Sequence, residues 1–504
     1  MHTVGIDDLS VYIPGLFLPV KSLAEARNIE YDKLHKGLGL TAMALADVHE
    51  DVATMAANAV LDLLQRNKID PSSVGRLYLG TESSLDGAKP MASYVLDMLN
   101  RYYESEEGRK SGFLNCDAVD LTFACIGAVD AMENALDWIR AGENRMAVVV
   151  ASDVARYELG SGGEYTQGAG AVAMLLCQSP ALLAIEPHWG VATKGVHDFF
   201  KPYRHIKKSQ MISNILIEAG IPGPEAEKLA EKIKSRETIN EMLSPEDDLW
   251  LHRDVPVFDG PYSNDCYRER IAQAYAHWKD QSKSQEGLSR WNRLICHLPY
   301  AYQARRMFTE LFWNTMPKEH RAPLLERNGI VYSDNNPEYS EIDGEKAFHT
   351  FLKSLSKTPE YKSFVKEKIE PSERLSSQVG NIYTGSIFLA LMSTLRSALL
   401  DGQELNGAKF GFFAYGSGSK SKVFEATVQP EWKARTERFQ PEDRLQQRRA
   451  LTFEAYEELH LGNRKDSVRA PRESFFLQTI ELEKGNRQGA RQYAFRPAHT
   501  EPVG

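Results

Sequence analysis

The stretches "RMAVVVASD" (145–153) and "QGAGAVAMLL" (167–176) are uninterrupted apolar runs bounded by polar residues. They read as strands buried on both faces, the kind that α/β proteins cover with helices on either side of a sheet. The covering helices can be read beside them. In Asp51–Gln65 the residues Val52, Met55, Ala56, Ala59, Val60, Leu63 and Leu64 share one helical face, and "VGRLYLG" follows as a short strand. A second helix carries Val129, Met132, Leu136 and Ile139 on one face, with Gly142 as a stop before "RMAVVVASD".

The style repeats further on. "RLICHLP" is expected as a strand before a helix bearing Ala304, Met307, Phe308, Leu311 and Phe312. "NIYTGSIFLALMSTLRSALL" reads as an apolar helix, and "AKFGFFAYGSGSK" as a strand entering a Gly/Ser loop. Two α/β halves, 1–202 and 249–430, are therefore expected, although no repeat of residue identity links them. Between them, 203–248 is a charged insertion with "PEAEKLAEKIKSRETINEML" as a surface helix. An extension, 431–504, holds two strands in "ESFFLQTIELEKGNRQGARQYAF", and its closing "RPAHTEPVG" should fray.

The 504 residues are 42% hydrophobic, enough for a large core, and the net charge of −9 argues against nucleic acid or an anionic membrane as a partner. "MHTVGIDDLSVYIPG" has no signal-peptide pattern, and no uncharged apolar stretch of about 18 residues occurs, so a cytoplasmic protein is expected. Cys116, Cys125, Cys177, Cys266 and Cys296 are scattered without a CxxC pair, which suggests neither a disulfide framework nor a metal site.

Five polar residues stand where such folds carry reactive groups. In "DLTFACIGAVDA", Cys125 precedes a run of small residues at the start of a helix, whose N-terminus would lower the thiol pKa and offer N–H groups to an oxyanion; a buried core thiol is the alternative. Glu82 and Asp86 in "LYLGTESSLDGAKP" follow a strand end, where a carboxylate could take a proton or simply be a solvated loop acid. His297 also follows a strand end and could equally be a structural histidine, and Asn381 in "GNIYTGS" could be a helix cap. "GSGGEYTQGAG" and "YGSGSK" match neither a P-loop nor a dinucleotide fingerprint; their glycines suit close backbone approach.

Taken in order, "GTESSLDGAK", "ACIGAVDA", "ASDVARYELGSGGEYTQGAGAVAM", "HDFFKP", "FDGPYSNDCY", "CHLPY", "GNIYTGS" and "FAYGSGS" resemble the motifs of the 3-hydroxy-3-methylglutaryl-CoA synthase family, in the thiolase superfamily. The similarity runs from residue 39 to about 430, and continues more weakly into longer eukaryotic-type members through "FFLQTIELEKGNRQGARQYAFRP". The resemblance implies a thiolase-like duplicated five-layer αβαβα fold, usually homodimeric. It implies an acyltransferase that condenses acetyl-CoA with acetoacetyl-CoA and water, feeding the mevalonate pathway.

By the same resemblance Cys125 takes the acetyl group, Glu82 is the general base that removes a methyl proton, and His297 with Asn381 holds acetoacetyl-CoA. Ser417 would donate a backbone N–H to an oxyanion, Thr166 and Ser263 would line the acyl site, and Asp86, Asp153 and Asp198 would orient these groups. Coenzyme A thioesters are substrates, and no cofactor or metal is implied. The chain departs from animal-type members at Tyr302, where they carry a lysine near the coenzyme, while Arg306 keeps a positive charge; the insertion could cover the entrance or enlarge a dimer contact. Tyr302 leaves room for a second reading, a β-branching relative that acts on acyl-carrier-protein thioesters. A β-ketoacyl synthase III-like enzyme, which has no Glu82 motif, and a catalytically silent scaffold are the remaining alternatives.

Overall fold

The computed structural model describes residues 3–108, 112–331 and 341–497, with backbone alone at 341–345; the fraying expected at the C-terminus falls mainly on 498–504, outside the described residues. A nine-stranded mixed sheet runs through the molecule. Its strands are β1 (Val4–Tyr12), β2 (Arg76–Gly80), β3 (Asp117–Leu121), β4 (Ala147–Ala155), β5 (Gly168–Gln178) and β6 (Leu183–Thr193), then, after two two-stranded ribbons, β11 (Arg293–Cys296), β12 (Lys409–Gly416) and β13 (Lys420–Val428). The order across the sheet is β11-β12-β13-β6-β1-β5-β4-β2-β3.

The halves repeat in topology. In the first, β2 and β4 are parallel, β4 and β5 antiparallel, and β5 and β1 antiparallel. In the second, β11 and β12 are parallel, β12 and β13 antiparallel, and β13 and β6 antiparallel. The two runs join where β1 meets β6 at Gly5↔Ala184 and Ile6↔Leu183. Gly5 permits that approach, since a Cβ there would lie 2.0 Å from the carbonyl oxygen of Leu183.

The helices repeat as well. In the first half they are α1 (Val52–Asn67), α2 (Met91–Glu107) and α3 (Gly127–Arg140), and the second half has α7 (Gly260–Ser282) and α8 (Ser386–Leu400) in the places of α1 and α3. Asp51 and Thr54 start α1 with a reciprocal capping box, at 2.9 and 2.8 Å. The apolar positions of α1 join one core with α2 and the residues of β4 and β5 that face them. Those of α3, α7 and α8 join the largest core, which also takes in the opposite faces of β4 and β5 and most of the second half. Strands β4 and β5 are thus covered on both faces, as their apolar runs require. The 18 residues Tyr383–Leu400 are long and apolar enough to cross a membrane by composition, but 78% of that stretch is buried inside the protein.

Several expected elements change on folding. The helix expected after His297 is two short ones, Gln303–Met307 and Thr309–Thr315. The single surface helix expected in the insertion is α5 (Gly223–Ile233) and α6 (Glu237–Met242), preceded by α4 (Lys208–Glu218). These three cap a two-part ribbon: β7 (Phe199–Phe200) pairs with β10 (Val257–Phe258), and β8 (Arg204–Lys207) with β9 (Asp248–Leu251), all antiparallel. The insertion is an arm, and periodicity over so short a charged segment does not show its ribbon. Lys208 is buried there, its Nζ donating to Asn240 Oδ1 at 2.8 Å and to the Ser244 carbonyl at 2.7 Å. The extension adds α9 (Phe453–His460) and the hairpin β14 (Ser474–Ile480) and β15 (Arg491–Arg496), which covers α1 and α2.

Candidate active site

Cys125 sits on a strained turn between β3 and α3. Ala124 has φ 41°, a left-handed conformation that costs a non-glycine residue energy and marks sites held by their surroundings. The turn is packed so closely that small neighbours are required: a Cβ on Gly416 would lie 2.5 Å from the carbonyl oxygen of Phe123. Helix α3 begins two residues after the thiol, at Gly127.

The sulfur is buried, and its thiol donates to Glu82 Oε1 at 3.0 Å. Glu82 stands just beyond the end of β2, 43 residues earlier in the chain. Burial pushes its carboxyl up to about 7, with Lys201 opposing and Asp153 adding to the rise. Burial also raises the Cys125 thiol well above its ordinary value, and the Glu82 carboxylate raises it further. This reverses the lowering expected from the helix N-terminus. A helix end contributes about 0.3–1 kcal/mol, less than one pKa unit, whereas full burial shifts a group by up to about 3–5 units. The resting pair is therefore a protonated thiol bonded to a carboxyl group that ionises near neutrality.

Asp153, near the end of β4, holds the backbone of Glu82 and its neighbours. It accepts from Thr81 Oγ1 (2.8 Å), the Glu82 backbone N–H (2.9 Å), Ser83 Oγ (3.0 Å), and both the N–H and the hydroxyl of Thr384. Burial raises it to about 6 against those donors. Thr384 comes from the turn before α8, so the second half of the chain holds the base of the first.

His297 follows β11 and is buried, its ring pushed down to about 3 by that burial. It is neutral in the physiological range, and its Nδ1 is buried without a hydrogen-bond partner among the described residues. Asn381 Oδ1 accepts from the Tyr383 N–H and from Ser386 Oγ, both at 2.9 Å. It therefore orders the turn into α8, as a cap would, while lining the same cavity as Cys125.

That cavity, about 310 Å³, brings together Cys125, Thr166, Ser263, His297, Arg306, Asn381 and Ser417. Thr166 Oγ1 donates to the Gly163 carbonyl at 2.8 Å and Ser263 Oγ to Asp198 Oδ2 at 3.3 Å. Asp198 also accepts from the Tyr415 hydroxyl and the Gly418 N–H, both at 2.7 Å, and so fixes the Gly/Ser loop that carries Ser417. Arg306 is exposed at one end of the cavity wall, 3.4 Å from the Tyr300 hydroxyl. Tyr302 packs beneath the Arg305 guanidinium, 3.8 Å from its ring centre, and against Gly39.

Asp86 does not join this set. Its carboxylate is exposed and accepts from the N–H groups of Ala88 and Lys89 in its own loop, both at 2.8 Å. It shapes the loop after Glu82 and does not touch the site's side chains, because the chain turns outward at Ser84. Sequence reasoning also missed the aromatic wall of Tyr157, Phe199, Phe258 and Tyr383 around Cys125, and the Lys201–Asp254 pair behind it. Tyr157, Phe199, Lys201, Phe258 and Tyr383 lie inside "ASDVARYELG", "HDFFKP", "FDGPYSNDCY" and "GNIYTGS", and Asp254 just before the third of these, but spacing alone could not turn those positions into contacts.

A thiol hydrogen-bonded to a half-buried carboxyl group, with an imidazole and an asparagine lining the same cavity at one end of a mixed α/β sheet, suits a condensing enzyme. Family models for the N-terminal and C-terminal domains of hydroxymethylglutaryl-coenzyme A synthase match residues 1–180 and 249–475. The chain belongs to the hydroxymethylglutaryl-CoA synthase family. It is 28% identical over 465 residues to a hydroxymethylglutaryl-CoA synthase of Haloferax volcanii, covering 91% of this chain and 92% of the relative. A hydroxymethylglutaryl-CoA synthase of Schizosaccharomyces pombe is also 28% identical, over 464 residues, covering 90% and 88%. Among solved structures, MvaS in complex with 3-hydroxy-3-methylglutaryl coenzyme A superposes with a TM-score of 0.73 at 26% identity, covering 98% of this chain and 100% of that one. The curacin-pathway HMG synthase in complex with apo donor-ACP has a TM-score of 0.70 at 20% identity and equal coverage, a likeness of fold.

Proposed function

We propose that the protein condenses acetyl-CoA with acetoacetyl-CoA and water to give 3-hydroxy-3-methylglutaryl-CoA and free CoA, through an acetyl-Cys125 intermediate. The observation that carries this reading is the 3.0 Å Cys125–Glu82 hydrogen bond beside His297 and Asn381. As Sγ attacks the acetyl carbonyl, its proton passes to Glu82, the new thioester forms, and CoA leaves with a proton. Once deprotonated again, Glu82 removes a methyl proton from the acetyl group. The resulting carbanion attacks the ketone carbon of acetoacetyl-CoA, whose oxygen takes a proton back from Glu82 and stays on that carbon as the tertiary hydroxyl. Water then cleaves the Cys125 thioester, which restores the thiol and frees the new carboxylate. Neutral His297 and Asn381 suit a ketone oxygen, and backbone N–H donors near Ser417 would stabilise an oxyanion by about 3–4 kcal/mol.

The reading asks for no metal or prosthetic group. Arg306 is placed for the anionic part of a coenzyme, and mevalonate supply in the cytoplasm is the setting proposed. A homodimer is proposed as well, with the outer edge of β3, where Asp117 and Val119 are exposed, as a candidate contact. The carrier-protein alternative is not favoured, because the relative seen with a donor-ACP is alike in fold alone, while relatives of higher identity are hydroxymethylglutaryl-CoA synthases.

Incubation with radiolabelled acetyl-CoA tests the intermediate: one label per chain on Cys125 is expected, and none after Cys125→Ala. Glu82→Ala should still acquire the label, more slowly, while condensation falls by ~10²–10⁴. Condensation that survives without Glu82 would remove it from the mechanism. Turnover of free acetoacetyl-CoA compared with the carrier-bound form separates the two acceptors.

A further inference from the structure

Lys201 lies at the root of the arm, just past β7, and Asp254 lies opposite it before β10. The two cross the gap between the ribbon's two ladders, with Lys201 Nζ 2.6 Å from Asp254 Oδ1. The same Nζ donates to the backbone carbonyl of Glu82 at 3.0 Å and sits 4.9 Å from the centre of the Tyr383 ring. The lysine side chain is only 11% exposed. A buried ammonium is costly unless its donors are met, and a carboxylate, a carbonyl and a ring face meet them here.

The groups that face Glu82 are the Cys125 thiol, Asp153, Asp254, the phenols of Tyr157 and Tyr383, and Lys201. Lys201 is the cation in that set, against two other carboxylates. Those facing Lys201 are Asp254, Glu82 and Asp153; burial works against its charge, and the carboxylates outweigh burial, leaving it above its ordinary value. The lysine therefore stays charged wherever the enzyme would work.

We propose that Lys201 is a positioning residue for the base: it ties the Glu82 loop to Asp254 and supplies the positive field under which the Glu82 carboxylate acts. The inference rests on the role of Glu82 proposed above. It makes the arm part of the active site, because the ribbon delivers both Lys201 and its partner.

The test follows the pH dependence of condensation in the full-length protein. Lys201→Met should move the acid limb up by about one pH unit, which is ~10-fold less activity on the acid side, and Lys201→Arg should restore it. Asp254→Asn removes a negative charge near Glu82 and should move the limb the other way, to lower pH. A purely structural role predicts loss in the same direction for both variants with no shift of the limb, and that result would overturn the proposal. Acetyl labelling of Cys125 is run alongside: label present with an unmoved limb rejects the role of Lys201, whereas no label in the unsubstituted protein rejects the acetyl-enzyme reading instead.

Discussion

At the scale of single residues, the protonation of Glu82 governs what the site can do. Its value of about 7 means that condensation should rise with pH through neutrality as the carboxylate forms. His297, held at about 3, should add no limb between pH 5 and 8. A second ascending limb of kcat/KM near pH 6 that persists in Asp153→Asn would contradict that neutral imidazole. The same burial acts on stability. A carboxyl raised from 4.5 to about 7 binds more protons folded than unfolded within that window, so its contribution to stability falls as pH rises through it. Glu82→Gln should therefore raise the Tm at pH 8 and change it much less at pH 5, with activity lost, as for other groups strained for function.

At the scale of elements, the C-terminal extension reaches the cavity through α9. The Tyr456 hydroxyl donates to Glu164 Oε1 at 3.0 Å and accepts from Gln167 Nε2 at 2.7 Å, while Gln167 Oε1 accepts from the Tyr157 N–H at 2.8 Å. Arg27 clamps the same Glu164 at 2.8 and 2.9 Å and reaches Glu457 in α9. Between these anchors lie Tyr165 and Thr166, which line the cavity. Tyr456→Phe leaves two buried polar groups each short of a partner, about 1–3 kcal/mol, and should raise KM several-fold with label stoichiometry intact. Denaturant titration and initial rates check the two parts separately. In the terminal hairpin, Phe475 is 2% exposed and packs on Tyr102 of α2 and Phe495 of β15. Phe475→Ala should cost about 3 kcal/mol, read by the same titration. The insertion leans back on this region through Glu241–Lys484 at 3.0 Å, and Arg253 of its ribbon reaches Glu158 at 2.7 Å; exposed pairs of this kind add little energy.

At the scale of the whole molecule, the two halves share one core and one site. The largest apolar cluster draws on α3, α7 and α8 together, and Lys420 and Lys422 of β13 pair with Asp130 of α3 at 2.5 and 2.7 Å. Unfolding either half would expose the other, so calorimetry should show a single cooperative endotherm; two resolved transitions would count against a shared core.

Apolar runs and helical faces carried the element types of both halves, because local periodicity and burial on two sides are properties of neighbouring residues. The resemblance carried Cys125, Glu82 and His297 to one chemistry before any distance was known. Tertiary structure alone decided that Asp86 points to solvent, that burial outweighs the helix end at Cys125, and that the segments flanking the charged insertion pair into a ribbon presenting Lys201 to the base. Each of these depends on which groups meet across tens or hundreds of residues. Electrostatic fields and desolvation act through space, and adjacency along the chain does not encode them.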